Sequence, residues 1–169
     1  MKNILSFLFI FIFATGFARA AEDNHHGFYF DLGAGGSFYA NQNSIPYDVL
    51  LNLGYDFSPN WAAQVEWTHL GSNTQTAEVR QARLIPEVKL SANGGPLKPY
   101  ALAGVGIESD TVVVSTARTQ DYADLTVGGG IQFTIEEAIH LFLEAKLNYL
   151  LTSGSEGTFP LEAGIHFDL

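Results

Sequence analysis

The chain has 169 residues, with 8 Lys and Arg against 18 Asp and Glu and a formal net charge of −10. So acidic a chain, with no clustered Lys or Arg, excludes nucleic acid as a partner, because phosphate binding depends on grouped cations. Cysteine is absent, so disulfides contribute nothing to stability and a hydrogen-bonded scaffold or a large core must supply it.

Met1, Lys2 and Asn3 precede an apolar run over 4–17 that ends in Ala18-Arg19-Ala20. A basic start, a short apolar centre and a small-residue cleavage site predict a signal peptide over 1–20, which leaves 21–169 as one domain. The run of roughly 14 apolar residues is shorter than the ~20 that a membrane-spanning helix needs. No Cys near the cleavage site offers a lipid attachment point. Loss of Lys2 and Arg19 with the leader takes the net charge from −10 to −12.

From residue 27 onward the pattern has a period of two, the mark of strands with one apolar and one polar face. Over 27–39, Phe28, Phe30, Leu32, Ala34 and Phe38 alternate with Tyr29, Asp31, Gly33, Gly35 and Ser37. Over 47–57, Tyr47, Val49, Leu51, Leu53, Tyr55 and Phe57 alternate with Asp48, Leu50, Asn52, Gly54 and Asp56. Ser58, Pro59 and Asn60 form a tight turn of the kind that joins antiparallel neighbours.

The third segment, 61–69, sets Trp61, Ala63, Val65, Trp67 and His69 against Ala62, Gln64, Glu66 and Thr68. After a polar loop over 71–78, the fourth sets Ala82, Leu84, Pro86, Val88 and Leu90 against Gln81, Arg83, Ile85, Glu87 and Lys89. Pro86 cannot donate to a ladder, so a bulge or local break is expected there. After a turn over 91–97, the fifth segment, 98–108, has small or apolar residues on both faces, and Tyr100, Gly104, Gly106 and Glu108 are assigned inward. A Ser/Thr-rich loop is expected over 109–120. The sixth and seventh segments, 122–133 and 141–151, alternate in the same way around a turn over 134–139. In the last, 158–169, Phe159, Leu161, Ala163, Ile165, Phe167 and Leu169 oppose Pro160, Glu162, Gly164, His166 and Asp168.

Eight segments of about ten residues match the ~9–11 tilted residues that cross a bilayer. A soluble sandwich or a secreted soluble β-barrel binding a small apolar ligand would put Lys, Glu and Thr on its wet face. Here the polar faces are poor in Lys and rich in Gly. The apolar faces carry rings near the strand ends, among them Phe28, Tyr47, Trp61, Trp67, Phe133 and Phe167. Such rings form girdles at membrane interfaces, and inward Gly suits a barrel just wide enough for packed side chains. The expected fold is all-β: an eight-stranded antiparallel up-and-down transmembrane β-barrel.

Three stretches carry a family likeness: KPYALAGVG over 98–106, VGGGIQF over 127–133 and EAKLNY over 144–149. With the leader and the closing strand they resemble the small OmpA-like outer-membrane β-barrel family, of the opacity and OmpX type. The resemblance implies a monomer in the outer membrane of a Gram-negative bacterium, in contact with lipid and lipopolysaccharide and inserted by the outer-membrane assembly machinery. It also implies four outer loops that meet a host or surface ligand. The sequence stops at the barrel without the peptidoglycan-binding domain of OmpA, so cell-wall anchoring is not implied. Its last residue is Leu169 where the family has an aromatic residue, and Phe167 and Leu169 are expected to serve as the assembly signal.

The inward set collects Glu66, Arg83, Glu87, Lys89, Glu144, Lys146 and Glu162, read as an ion-paired plug in a narrow lumen rather than a pore. By hairpin symmetry Glu66 is expected opposite Arg83, and Lys146 opposite Glu162 with Glu144 and Glu66 in reach. His25 and His26 are too close in sequence for a good metal site, His166 is expected in the lumen network, and His140 at a turn. No catalytic, cofactor or metal site is expected. The alternative, a lipid A deacylase type of barrel enzyme, needs His, Ser and an acid on the wall. Only His69, Ser72 and Asn73 invite comparison, at the wrong spacing.

Overall fold

Alternation of apolar and polar residues leaves each strand with one face for hydrocarbon and one for a polar interior, and a sheet in lipid must close to leave no unpaired edge. The computed structural model, which describes residues 26–39, 46–73, 78–92, 96–113, 117–151 and 157–169, meets both demands. Its strands are β1 (Gly27–Tyr39), β2 (Tyr47–Ser58), β3 (Trp61–Asn73), β4 (Glu78–Ser91), β5 (Leu97–Val113), β6 (Ala117–Glu136), β7 (Ile139–Leu150) and β8 (Gly157–Asp168). Each pairs antiparallel with its sequence neighbours, and β8 returns to β1 to close the barrel. The predicted leader, 1–20, lies outside the described residues.

The core is inverted relative to a soluble protein. Inside, Asp31, Asn52, Gln64, Glu66, Arg83, Glu144, Lys146 and Glu162 are buried. Outside, Leu32, Leu53, Leu84, Val105, Leu143 and Ile165 are exposed, as lipid contact requires. A soluble barrel with an apolar ligand cavity is thereby ruled out: the cavity side is the polar side.

Two connections at the end that carries both chain termini are two residues long. At Pro59–Asn60, Ser58 Oγ accepts from Trp61 N at 3.1 Å, and at 137–138 β6 turns into β7. Register shifts at Asp56/Ser58 and Thr134/Glu136 twist each strand into its turn.

Two expectations need correction. The loop expected over 109–120 is a strand pair: β5 and β6 stay in register from Leu97↔Phe133 to Val113↔Ala117. Thr111, Val112, Val113 and Thr119 are β-branched and stiff in extended backbone, and that preference outweighs the loop-like composition. Cross-strand bonds fasten the extension, with Ser109 Oγ donating to Asp121 Oδ1 at 2.7 Å and the Thr111 and Thr119 hydroxyls 3.0 Å apart. At Pro86 the expected local break is present, without a bulge. β4 pairs with β3 straight through it (Val65↔Pro86), while on the β5 side pairing lapses between Leu84↔Ile107 and Glu87↔Gly104 and resumes in the same register. Finally, β3 runs to Asn73 and β4 starts at Glu78, so the connection expected over 71–78 is shorter than its polar composition suggested.

Aromatic rings sit over glycine across the strand pairs Tyr29↔Gly54, Tyr100↔Gly130 and Phe142↔Gly164. A Cβ on Gly54 would lie 2.1 Å from the Tyr29 ring, and one on Gly164 would lie 2.6 Å from Phe142. Glycine here is a matter of space, since a narrow lumen holds a large ring only where the facing wall has no side chain.

Candidate functional site: the barrel lumen and its mouths

Inward parity sends side chains from all eight strands into one narrow space, where they sort into three groups. At the centre, Lys146 of β7 gathers three carboxylates: Nζ lies 2.5 Å from Glu66 Oε2, 2.7 Å from Glu162 Oε2 and 3.1 Å from Glu144 Oε1. All four side chains are buried. Thr68 Oγ1 donates to the other Glu66 oxygen at 2.8 Å. A buried ammonium is tolerable only with such partners, and one cation shared by three acids is a tightly interdependent set.

Towards the outer end, Arg83 Nε donates to Glu108, lies 3.7 Å from Asp124 Oδ2, and Arg83 Nη2 reaches across to Thr158 Oγ1 at 3.1 Å. At the end bearing the termini, His166 Nδ1 is 2.5 Å from Asp31 Oδ1, and Asp168 lies between the rings of His140 and His166. Tyr29 donates to Gln64 Oε1 at 2.7 Å, and Gln64 Nε2 donates to Glu87 Oε2 at 2.6 Å.

All seven residues expected in the lumen point inward, but they do not form one network. Glu87 is met by an amide, and Lys89 makes no ion pair among the described residues. Its Nζ lies 4.3 Å from the Tyr100 ring centroid and 5.3 Å from that of Tyr29, a cation–π arrangement. Glu66 faces Ile85 and Arg83 faces Thr68, each two residues away from the expected pairing. The longer strands move the centre of symmetry of that hairpin. Glu144, not Lys146, is opposite Glu162, and Lys146 reaches Glu162 along the diagonal.

Glu108 and Asp124 stood on the inward parity and could have been found as partners of Arg83 by carrying the alternation through β5 and β6. His140 is the clearer miss. Placed at a turn by sequence, it is a buried inward residue of β7, because β6 continues to Glu136 and the turn shrinks to two residues. His69 faces outward and stacks on Trp67 at 6.0 Å.

A closed eight-stranded barrel with an apolar exterior and a charged, packed interior defines a small outer-membrane β-barrel. The chain belongs to the outer membrane protein β-barrel domain family, whose model matches residues 6–167, and its place is the outer membrane of a Gram-negative bacterium. Among solved structures it is similar to Neisserial surface protein A at a TM-score of 0.72, with 14% identity over 85% of this chain and 97% of that one. It is also similar to Ail, the attachment invasion locus protein of Yersinia pestis, at a TM-score of 0.54, with 15% identity over 84% of this chain and 97% of that one. A third likeness is to the outer membrane enzyme PagL at a TM-score of 0.56, with 13% identity over 83% of this chain and 99% of that one. At these identities the likeness is one of fold. No curated protein sequence matches the chain.

Proposed function

We propose that this barrel is a surface-interaction protein: an anchor that holds polar hairpins outside the cell, and neither a general porin nor an enzyme. The observation that carries this reading is the β5–β6 extension. Beyond Glu108↔Tyr122 the ladder continues through Ser109↔Asp121, Asp110↔Gln120, Thr111↔Thr119, Val112↔Arg118 and Val113↔Ala117. Polar residues stand on both faces there, so hydrocarbon cannot surround it and it projects into water. A rigid ribbon gives a partner a prearranged edge at little ordering cost.

The lumen supports the same reading. Arg83, Glu66, Lys146 and Glu162 are each at most 1% exposed, so water does not reach the middle of the barrel as it would in a pore. In this reading residues 1–20 direct export, Phe167 and Leu169 present the closing strand to the assembly machinery, and the hairpin meets a host or surface ligand.

The test exploits the absence of cysteine. Thr119→Cys should react with a membrane-impermeant maleimide in intact cells, and replacing 109–121 by a short turn should lower adhesion of expressing cells to an epithelial layer. Protection of Thr119→Cys from the reagent, or unchanged adhesion, would overturn the proposal.

A further inference from the structure

The mouth at the chain termini opens on a cavity of about 530 Å³, lined among others by His26, Asp56, Lys98, His140, His166 and Asp168. Asp168 divides its carboxylate between two imidazoles: Oδ2 is 2.9 Å from His140 Nε2 and Oδ1 is 2.9 Å from His166 Nε2. The far nitrogen of each ring is engaged as well. His166 Nδ1 lies 2.5 Å from Asp31 Oδ1, and Asp31 is itself held by Asn52 Nδ2 at 3.1 Å. His140 Nδ1 lies 3.0 Å from Thr134 Oγ1. Both rings are therefore locked, with their Nε2 edges converging on one carboxylate.

We propose that His140, His166 and Asp168 form a binding site for a divalent transition metal of the zinc class at this mouth. Donor atoms of the three lie within 4.8 Å of one another. A tetrahedral zinc ion, with bonds of ~2.0–2.1 Å, holds its donors ~3.3 Å apart, so separations of up to 4.8 Å need adjustments of at most about 1.5 Å. The side chain of Asp168 is 44% exposed and free to make them. Two imidazole nitrogens and one carboxylate oxygen suit zinc, copper or nickel and are a poor set for magnesium or calcium. Asp31 behind His166 supplies the carboxylate–histidine relay that fixes ring orientation and raises ligand basicity in zinc sites. The cavity leaves the fourth coordination position to water.

Such an ion would tie β7 to β8 and, through Asp31, to β1, at the seam where the chain ends meet. The experiment is zinc titration of the folded full chain in detergent against a chromophoric chelator, with metal content measured after dialysis. One zinc per chain is expected, with Asp31→Asn weakening it about tenfold and Asp168→Asn or His140→Gln weakening it further, while His69→Gln on the lipid face leaves it unchanged. Substoichiometric zinc in the unaltered protein would overturn the site. So would binding that survives His140→Gln but is lost when His25 and His26 are replaced. Because a substituted lumen can misfold, the unaltered protein loaded with copper provides a second readout. Its electron paramagnetic resonance should show coupling to two imidazole nitrogens, and a spectrum without it would also sink the proposal.

Discussion

Lys146 on β7 and Glu66 on β3 meet at 2.5 Å although 80 residues separate them in sequence and each lies four strands from the other around the barrel. This contact spans the lumen, so it joins opposite walls that no ladder hydrogen bond connects. Lys146→Ala would strand three buried carboxylates, at a cost on the order of 3–5 kcal/mol. Glu66→Gln should cost less, because Glu144 and Glu162 still hold the ammonium. Glu137→Gln, on an exposed turn, should change little. Urea unfolding midpoints in detergent for the three variants would rank them, and equal stability of Lys146→Ala and Glu137→Gln would refute the hub.

Gly54 leaves the space that the Tyr29 ring fills. Gly54→Ala places a methyl 2.1 Å from that ring, and moving the ring breaks the Tyr29–Gln64 bond. Overpacking of this kind costs about 1–3 kcal/mol. At Gly157 the nearest atom to an added Cβ is 3.7 Å away, so Gly157→Ala should be tolerated. The same unfolding assay separates the two, and a harmless Gly54→Ala would show that the ring has another resting place.

Purified protein in a planar bilayer should give no stable porin-sized conductance, because buried side chains from opposite strands cross the lumen at the heights of Lys146 and Arg83. A steady open level in single-channel recordings would contradict the packed interior.

Trp61 opens β3 at the end bearing the termini, and Trp67 sits six positions along on the same lipid face, both exposed. At ~3.3 Å per residue along a tilted strand, their depths differ by more than 10 Å. Single-tryptophan variants in lipids brominated at different depths should show Trp67 quenched most by deep bromines and Trp61 by shallow ones. Identical profiles would place β3 differently in the bilayer.

Most of the wall was legible in the sequence because the physics of each strand is local: a residue's parity decides its face, and lipid enforces the choice. Contacts across the lumen were harder. Parity put Glu66, Arg83, Lys146 and Glu162 inside, but partners depend on register, and register depends on where strands end. Those ends are set by β-propensity and pairing together, which is why 109–120 read as a loop from its Ser and Thr content. The same uncertainty put His140 in a turn, and with it the cluster around Asp168 stayed invisible, since its members come from β1, β6, β7 and β8.

Seven of the strand pairs are joined by a connecting segment whose length limits how far one strand can slide on the other. β1 and β8 are joined by none, so their alignment rests on the side chains they bring together. A slip of one residue there would turn every polar group of β8 to the lipid and be rejected at once. A slip of two would keep all faces correct and escape that test. It would set Asp31 opposite Gly164 or Asp168 in place of His166, its present partner, leaving a carboxylate against a glycine or against another carboxylate. The Asp31–His166 contact therefore distinguishes the observed register from the two-residue slips that hydrophobicity alone would accept.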